Sequence, residues 1–130
     1  MIVLDASVLV NIVGDDGGDG ERARQAVAYE DLAAPELIDV EVASVLRRHW
    51  LAKTLSARRF AAALADLAEL PIVRFPALPL LHRVYELRAN VSAYDAVYVA
   101  LAELLDCPLL TADRRLAAAP GTRCTITVLS

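Results

Sequence analysis

Apolar residues fall along this chain in two rhythms. Short runs stand at Ile2-Val3-Leu4, Leu32-Ala33-Ala34, Ile72-Val73-Arg74-Phe75, Pro108-Leu109-Leu110-Thr111 and Thr125 to Leu129. Runs of this length, bounded by turn residues or proline, predict strands. Between them apolar positions recur every three or four residues, the spacing of a helix face. ELIDVEVASVLRRHW carries Ile38, Val42, Val45, Leu46 and Trp50 in this way, with Pro35 closing the strand before it and suiting a helix start. Ser56 opens ARRFAAALADLAEL, which Pro71 ends, and Leu80 to Arg88 is a further helix. Ser92-Ala-Tyr-Asp95 has the form of a capping box, with Asp in the usual Glu/Gln place. The following AVYVALAELL is apolar almost all round, which predicts a central, buried helix. Ser7 caps a short helix from Val8 to Ile12, a polar helix spans Glu21 to Asp31, and another short one spans Arg114 to Ala119. GDDGGDGE, rich in Gly and Asp, reads as the one clear loop.

Strands alternating with helices predict an α/β fold, with a central, mostly parallel sheet of about five strands and helices on both faces. The 130 residues show no repeat and no linker, so residues 1–130 are expected to be a single domain. An apolar content of 57% excludes a disordered chain. Net charge is −4, which argues against non-specific nucleic-acid binding but leaves room for a local basic strip. No stretch approaches the ~20 apolar residues that span a bilayer. The N-terminus has no positive flank and carries Asp5 inside its apolar run, a poor signal peptide. A cytoplasmic protein without a membrane partner is expected, with Cys107 and Cys124 as buried free thiols. His49 and His82 have no Cys or His neighbours at ligand spacing, which argues against structural zinc.

The chemistry begins with MIVLDASVLVNIV, where a carboxylate interrupts an apolar run. Ionised burial is costly unless something positive compensates it. Three further acids have comparable settings: Glu41 early in its helix beside Val42 and Val45, Asp95 in the first turn of the central helix, and Asp113 after the fourth strand in LLTADRRL. In open parallel sheets ligands sit outside the carboxyl ends of the strands, which is where Asp5 and Asp113 emerge. Taken singly, each acid has a local explanation as a helix cap or dipole partner. Brought together, two carboxylates ~4 Å apart repel by about 4 kcal/mol at an effective dielectric of 20. Such a group must hold a proton or bind a cation. An all-oxygen donor set suits Mg²⁺, with Mn²⁺ able to substitute, rather than zinc. Asp39 competes with Glu41 for the third helix's ligand, but two residues away it lies on a different face, and Glu41 is preferred.

MIVLDASVLV, the acid in PELIDVEVASVLRR, and above all SAYDAVYVALAELLDCPLLTADRRL together resemble PIN-domain ribonucleases, in particular the VapC toxins of bacterial toxin–antitoxin pairs. The resemblance runs over essentially the whole chain. It implies a PIN fold, and places the family's acidic, metal-binding set on Asp5, Glu41, Asp95 and Asp113. It implies Mg²⁺- or Mn²⁺-dependent hydrolysis of RNA, with water as nucleophile and products ending in 5′-phosphate and 3′-hydroxyl. Ser7 and Thr111 match small hydroxyl positions near that site, either placing a carboxylate or water, or only capping. A small VapB-like antitoxin that blocks the site, and a homodimer, are also implied. The apolar side of the helical hairpin from Leu37 to Leu70 is a candidate groove for that partner, or simply core.

Candidate RNA contacts are Arg114 and Arg115 beside Asp113, then Arg47 and Arg48, with Lys53, Arg58 and Arg59 behind them; each is also an ordinary solvated helix end. Aromatics are only 5% of the chain, too few for broad base stacking. Phosphatases of the haloacid-dehalogenase type need a second aspartate at position 7, which is Ser, and response-regulator receivers need a late lysine, whereas the only lysine is Lys53. Two alternatives stay open: a non-catalytic PIN module that binds RNA or protein, and a PIN nuclease of RNA maturation outside any toxin pair.

Overall fold

The structure, a computed structural model, describes residues 1–129. Five strands form one sheet: β1 (Ile2–Leu4), β2 (Leu32–Pro35), β3 (Ile72–Phe75), β4 (Leu109–Thr111) and β5 (Ile126–Val128). Every neighbouring pair is parallel, in the order β3-β2-β1-β4-β5. β1 stands in the middle, with Val3 opposite both Ala33 and Leu109. Centrality shows in burial: β2 and β4 are buried along their whole length, whereas the edge strand β3 exposes Val73. The sheet predicted from the short apolar runs is thus present, and it is parallel throughout.

The connections are helical: α1 (Ala6–Gly14) and α2 (Gly18–Val27) join β1 to β2, and α3 (Leu37–Leu51) and α4 (Ala57–Glu69) join β2 to β3. A 3-10 turn at Leu78–Leu80, α5 (Leu81–Glu86) and α6 (Ala93–Leu105) lead to β4, and α7 (Arg114–Ala117) leads to β5. α1 packs on α2, α3 and α4, while α6 packs on α5 and directly on β1, β2 and β4. In α6 every residue from Ala96 to Ala102 is buried, as its all-round apolar pattern predicts. Each fully buried Val or Leu there contributes about 1.5–3 kcal/mol of transfer free energy. The cap of α6 is the predicted one, with the Ser92 hydroxyl accepting from the Asp95 N–H at 3.2 Å, and Ser56 caps α4 in the same way at 3.0 Å.

Four expectations need correction. Helix α1 starts at Ala6, and its N-cap is Asp5 rather than Ser7, because the Asp5 carboxylate reaches the Val8 N–H. The helix expected over Leu80 to Arg88 begins with the 3-10 turn around Pro79 and ends at Glu86. Cys107 and Cys124 are free but only half-buried. The segment GDDGGDGE is not a loop throughout: α2 begins inside it, at Gly18. Gly20 marks a close approach, since a Cβ there would lie 1.9 Å from the Asp15 carbonyl oxygen and 2.8 Å from that of Asn11. Helix α2 therefore rests directly on the end of α1.

Gly20→Ala should push α2 off α1 at an overpacking cost of about 1–3 kcal/mol, lowering the melting temperature by roughly 5 °C or more. Gly18→Ala, whose added Cβ meets only the flexible end of Arg22, should leave it unchanged or raise it. Thermal melts of the two variants check this; equal effects would contradict the close-approach reading.

Candidate active site

The chain path runs from β1 outward to β2 and β3, then returns across the sheet to β4 on the other side of β1. The carboxyl ends of β1 and β4 thus form a topological switch point, the place where open α/β sheets leave a crevice. Asp5 follows β1 there. Its N–H donates to the Leu110 carbonyl at 3.2 Å, which ties it to β4. Its Oδ1 accepts from the Ser7 hydroxyl at 2.5 Å and the Val8 N–H at 3.3 Å, and its Oδ2 accepts from the Thr111 hydroxyl at 2.5 Å. Both hydroxyls are fixed in turn. Ser7 Oγ accepts from the Ala112 N–H at 3.0 Å, and Thr111 Oγ1 accepts from the Asp113 N–H at 3.0 Å. Asp5 is only 6% exposed, so these donors are what make its carboxylate's burial tolerable.

The other acids arrive from three different elements. Asp113 caps α7, its Oδ1 accepting from the Arg115 N–H at 2.9 Å, with the exposed Arg115 guanidinium 3.6 Å away. Asp95 lies in the first turn of α6, and a cavity of about 260 Å³ is lined by Asp95, Asp113, Ser92, Asn90 and Arg115. Glu41, on α3, accepts from the Tyr98 hydroxyl at 2.6 Å. Asp39 does not compete: both of its oxygens are taken by Arg74, at 2.7 and 2.9 Å.

These groups feel one another. Burial pushes the Asp5 carboxyl up from its ordinary value; the Ser7, Thr111 and Val8 hydrogen bonds oppose this, and the Asp95 charge adds to it. Burial likewise raises Glu41 against the Tyr98 hydrogen bond, with help from the Asp95 and Asp5 charges. Asp95 is raised by burial and by Asp113, against Ser92 and Arg115. Burial and the bond to Glu41 raise Tyr98, which stays a neutral donor. No cation acts on Asp5 or Glu41 among these influences. Asp5, Glu41 and Asp95 therefore feel one another's charge, Asp113 reaches the group through Asp95, and the Arg115 guanidinium acts on the side of Asp95 and Asp113.

Among the described residues no three His, Cys, Asp or Glu side chains are gathered closely enough to ligate one ion together. The donor set nevertheless fits a hydrated hard cation. Every donor is oxygen, and Mg²⁺ keeps several of its waters while taking one or two carboxylates directly.

The structure separates the arginine candidates. Arg115 lines the cavity and its neighbour Arg114 does not, although both are exposed. Arg47 and Arg48 are exposed some two turns beyond Glu41, about 10 Å along α3. Arg59 is engaged elsewhere, by Asp16 at 2.9 and 3.0 Å and by the Val13 carbonyl at 2.9 Å. Lys53, in the left-handed region, and Arg58 are exposed. Tyr98 was not among the residues singled out from sequence. A hydroxyl inside the otherwise aliphatic, buried stretch Ala96 to Ala102 was the available signal, because a buried tyrosine needs a partner.

Residues 2–121 match the family model described as PIN domain. VapC ribonuclease Mb0985 of Mycobacterium bovis is 46% identical over 129 residues, covering 99% of this chain and 98% of that protein. Ribonuclease VapC1 of Mycobacterium tuberculosis is 43% identical over 125 residues, covering 95% and 94%. Among solved structures, Mycobacterium tuberculosis VapC20, titled a sarcin-ricin loop cleaving toxin, superposes with a TM-score of 0.73 at 16% identity over 95% of this chain and 97% of that one. VapBC2 from Rickettsia felis, bound to a promoter DNA fragment, gives a TM-score of 0.71 at 12% identity with both chains fully covered. With fold, switch-point acids and whole-length similarity in agreement, this chain belongs to the PIN-domain family, and within it to the VapC group.

Proposed function

We propose that this protein is a divalent-metal-dependent endoribonuclease and the toxin of a toxin–antitoxin pair. The observation that carries the reading is the buried Asp5 at the switch point, with Glu41 and Asp95 raised by burial and by neighbouring carboxylates and Asp113 lining one cavity with Asp95, in a chain 46% identical to a protein named a VapC ribonuclease. Asp5, Glu41, Asp95 and Asp113 are the residues that would hold hydrated Mg²⁺, or Mn²⁺ as substitute, one or two of them directly and the others through its waters. When bound, such an ion makes water a nucleophile near neutral pH and stabilises charge on the phosphoryl oxygens.

The chain's own residues supply the rest. Ser7 and Thr111 hold both oxygens of Asp5, so that this ligand is fixed before anything binds. Asp95 and Asp113 face a shared cavity open to a phosphodiester. Arg115 at its rim offers a cation to the RNA backbone, whereas Arg114, Arg47 and Arg48 lie farther out and act on flanking phosphates. No histidine takes part, and none is needed where the nucleophile is activated by a metal. The α3–α4 hairpin leaves Val40, Trp50, Leu51 and Leu64 exposed, the kind of apolar surface that a small VapB-like antitoxin could cover. Proteins of the same fold include one solved in a Klebsiella pneumoniae toxin–antitoxin complex, which supports an antitoxin partner. A homodimer and a cytoplasmic location complete the proposal; among the described residues no helix is long and apolar enough to cross a membrane.

Purified protein should cleave RNA with Mg²⁺ or Mn²⁺ and stop in EDTA. Asp5→Asn and Asp95→Asn should each lower the cleavage rate by about 100-fold or more, in line with the loss of a metal ligand or its support, while folding normally. Expression of the wild type, but not of Asp5→Asn, should arrest growth unless the antitoxin is present. Cleavage that survives EDTA, or an active wild type that leaves growth untouched, would count against the metal mechanism and the toxin role respectively.

The raised carboxyls also set a stability prediction. A folded-state value above the unfolded one means that protonation favours the fold. That stabilisation is complete below the ordinary carboxylate range and is lost as pH rises through the raised values. Asp95→Asn removes one such group. Discounted for its half-exposed position, the effect is about 0.5–1 kcal/mol. Without divalent ions, the variant should gain roughly 2–5 °C in melting temperature relative to wild type between about pH 4 and 7. Millimolar Mg²⁺ should close the gap by stabilising the wild type. A difference that does not change with pH would contradict the coupling.

A further inference from the structure

We infer that Tyr98 is a positioning residue that holds Glu41 in its metal-binding pose, an inference that rests on the proposed metal site. Tyr98 is 1% exposed, and its hydroxyl donates to Glu41 Oε1 at 2.6 Å across 57 residues of sequence. Glu41 is the one member of the acidic set with a long, flexible side chain and no backbone cap. Asp5 and Asp113 are each pinned as helix N-caps, and Asp95 sits under Ser92 in the first turn of α6. An unrestrained glutamate loses rotamer freedom when it is ordered; the hydroxyl does that ordering beforehand. Among the described residues the bond occupies only Oε1, which leaves Oε2 without a protein donor. Tyr98 stands three residues after Asp95, on the same side of α6. One helix thus carries both a proposed ligand and the group that aims a second ligand from α3.

Partners that orient metal-binding side chains typically change metal affinity by 10–100-fold when removed. Tyr98→Phe keeps the buried ring and deletes only the hydroxyl. Mn²⁺ binding, followed by water-proton relaxation with MnCl₂, needs no RNA and no turnover. Tyr98→Phe should weaken Mn²⁺ binding about tenfold. On a Glu41→Ala background the same change should cost less than about twofold, because there is no longer a side chain to aim. Thermal melts in EDTA separate this from a purely structural role. Lowered stability with unchanged Mn²⁺ affinity overturns the inference and leaves the metal site standing. A tenfold loss in both backgrounds also overturns it, since Tyr98 would then act without Glu41. Failure of the wild type to bind Mn²⁺ at millimolar concentration brings down this inference and the metal site together.

Discussion

A carboxylate in the core is the constraint that organises this molecule. Asp5 sits at the end of the central strand, almost without solvent, and its carboxyl is raised by that burial. Two hydroxyls and one N–H compensate it, and the two hydroxyls come from opposite sides of the switch point: Ser7 from the helix after β1 and Thr111 from the end of β4. Those donors supply hydrogen bonds but no net positive charge. Asp95 adds repulsion, and Asp113 and Glu41 extend the same field. Core packing alone gives no reason to keep such an arrangement, because an apolar side chain at position 5 would pack at lower cost. The proposed ion gives the reason.

Parallel topology is what brings the acids together. A sheet ordered β3-β2-β1-β4-β5 sends every strand's carboxyl end to one edge. β1 and β4 are neighbours although more than a hundred residues separate Asp5 from Thr111. α6, buried from Ala96 to Ala102, fixes Asp95 and Tyr98 relative to β1 and β4 on which it packs. Asp5 and Asp95 are thereby anchored on the buried sheet and on α6. Arg115, 94% exposed at the rim of the cavity, is free to adapt to a ligand.

Much of this was legible in the sequence, for identifiable reasons. Uninterrupted apolar runs mark parallel strands buried on both faces, and the all-round apolar AVYVALAELL marks the helix lying on them. The acids stood out because each interrupts or flanks such a segment. Choices between near neighbours were less legible. Both Asp5 and Ser7 can cap a helix, and the frame is set by the tertiary bond from Asp5 N–H to Leu110, which local sequence does not encode. Asp39 and Glu41 are separated by which one Arg74 captures, an interaction 35 residues away. GDDGGDGE misled because glycine permits close helix approach as readily as it permits a loop, and only the position of Asp15 above Gly20 decides. Tyr98 hid among core residues, as its ring is core and only its hydroxyl is not.

Occupation of the switch point by a cation is the central claim, and anomalous scattering from crystals grown with Mn²⁺ tests it most directly. A manganese peak should lie in contact with the carboxylate of Asp5 and at least one of Asp95, Glu41 and Asp113, and should be missing from Asp5→Asn crystals prepared alike. A well-ordered wild-type site holding only water at saturating Mn²⁺, or a peak elsewhere on the surface alone, would contradict the claim.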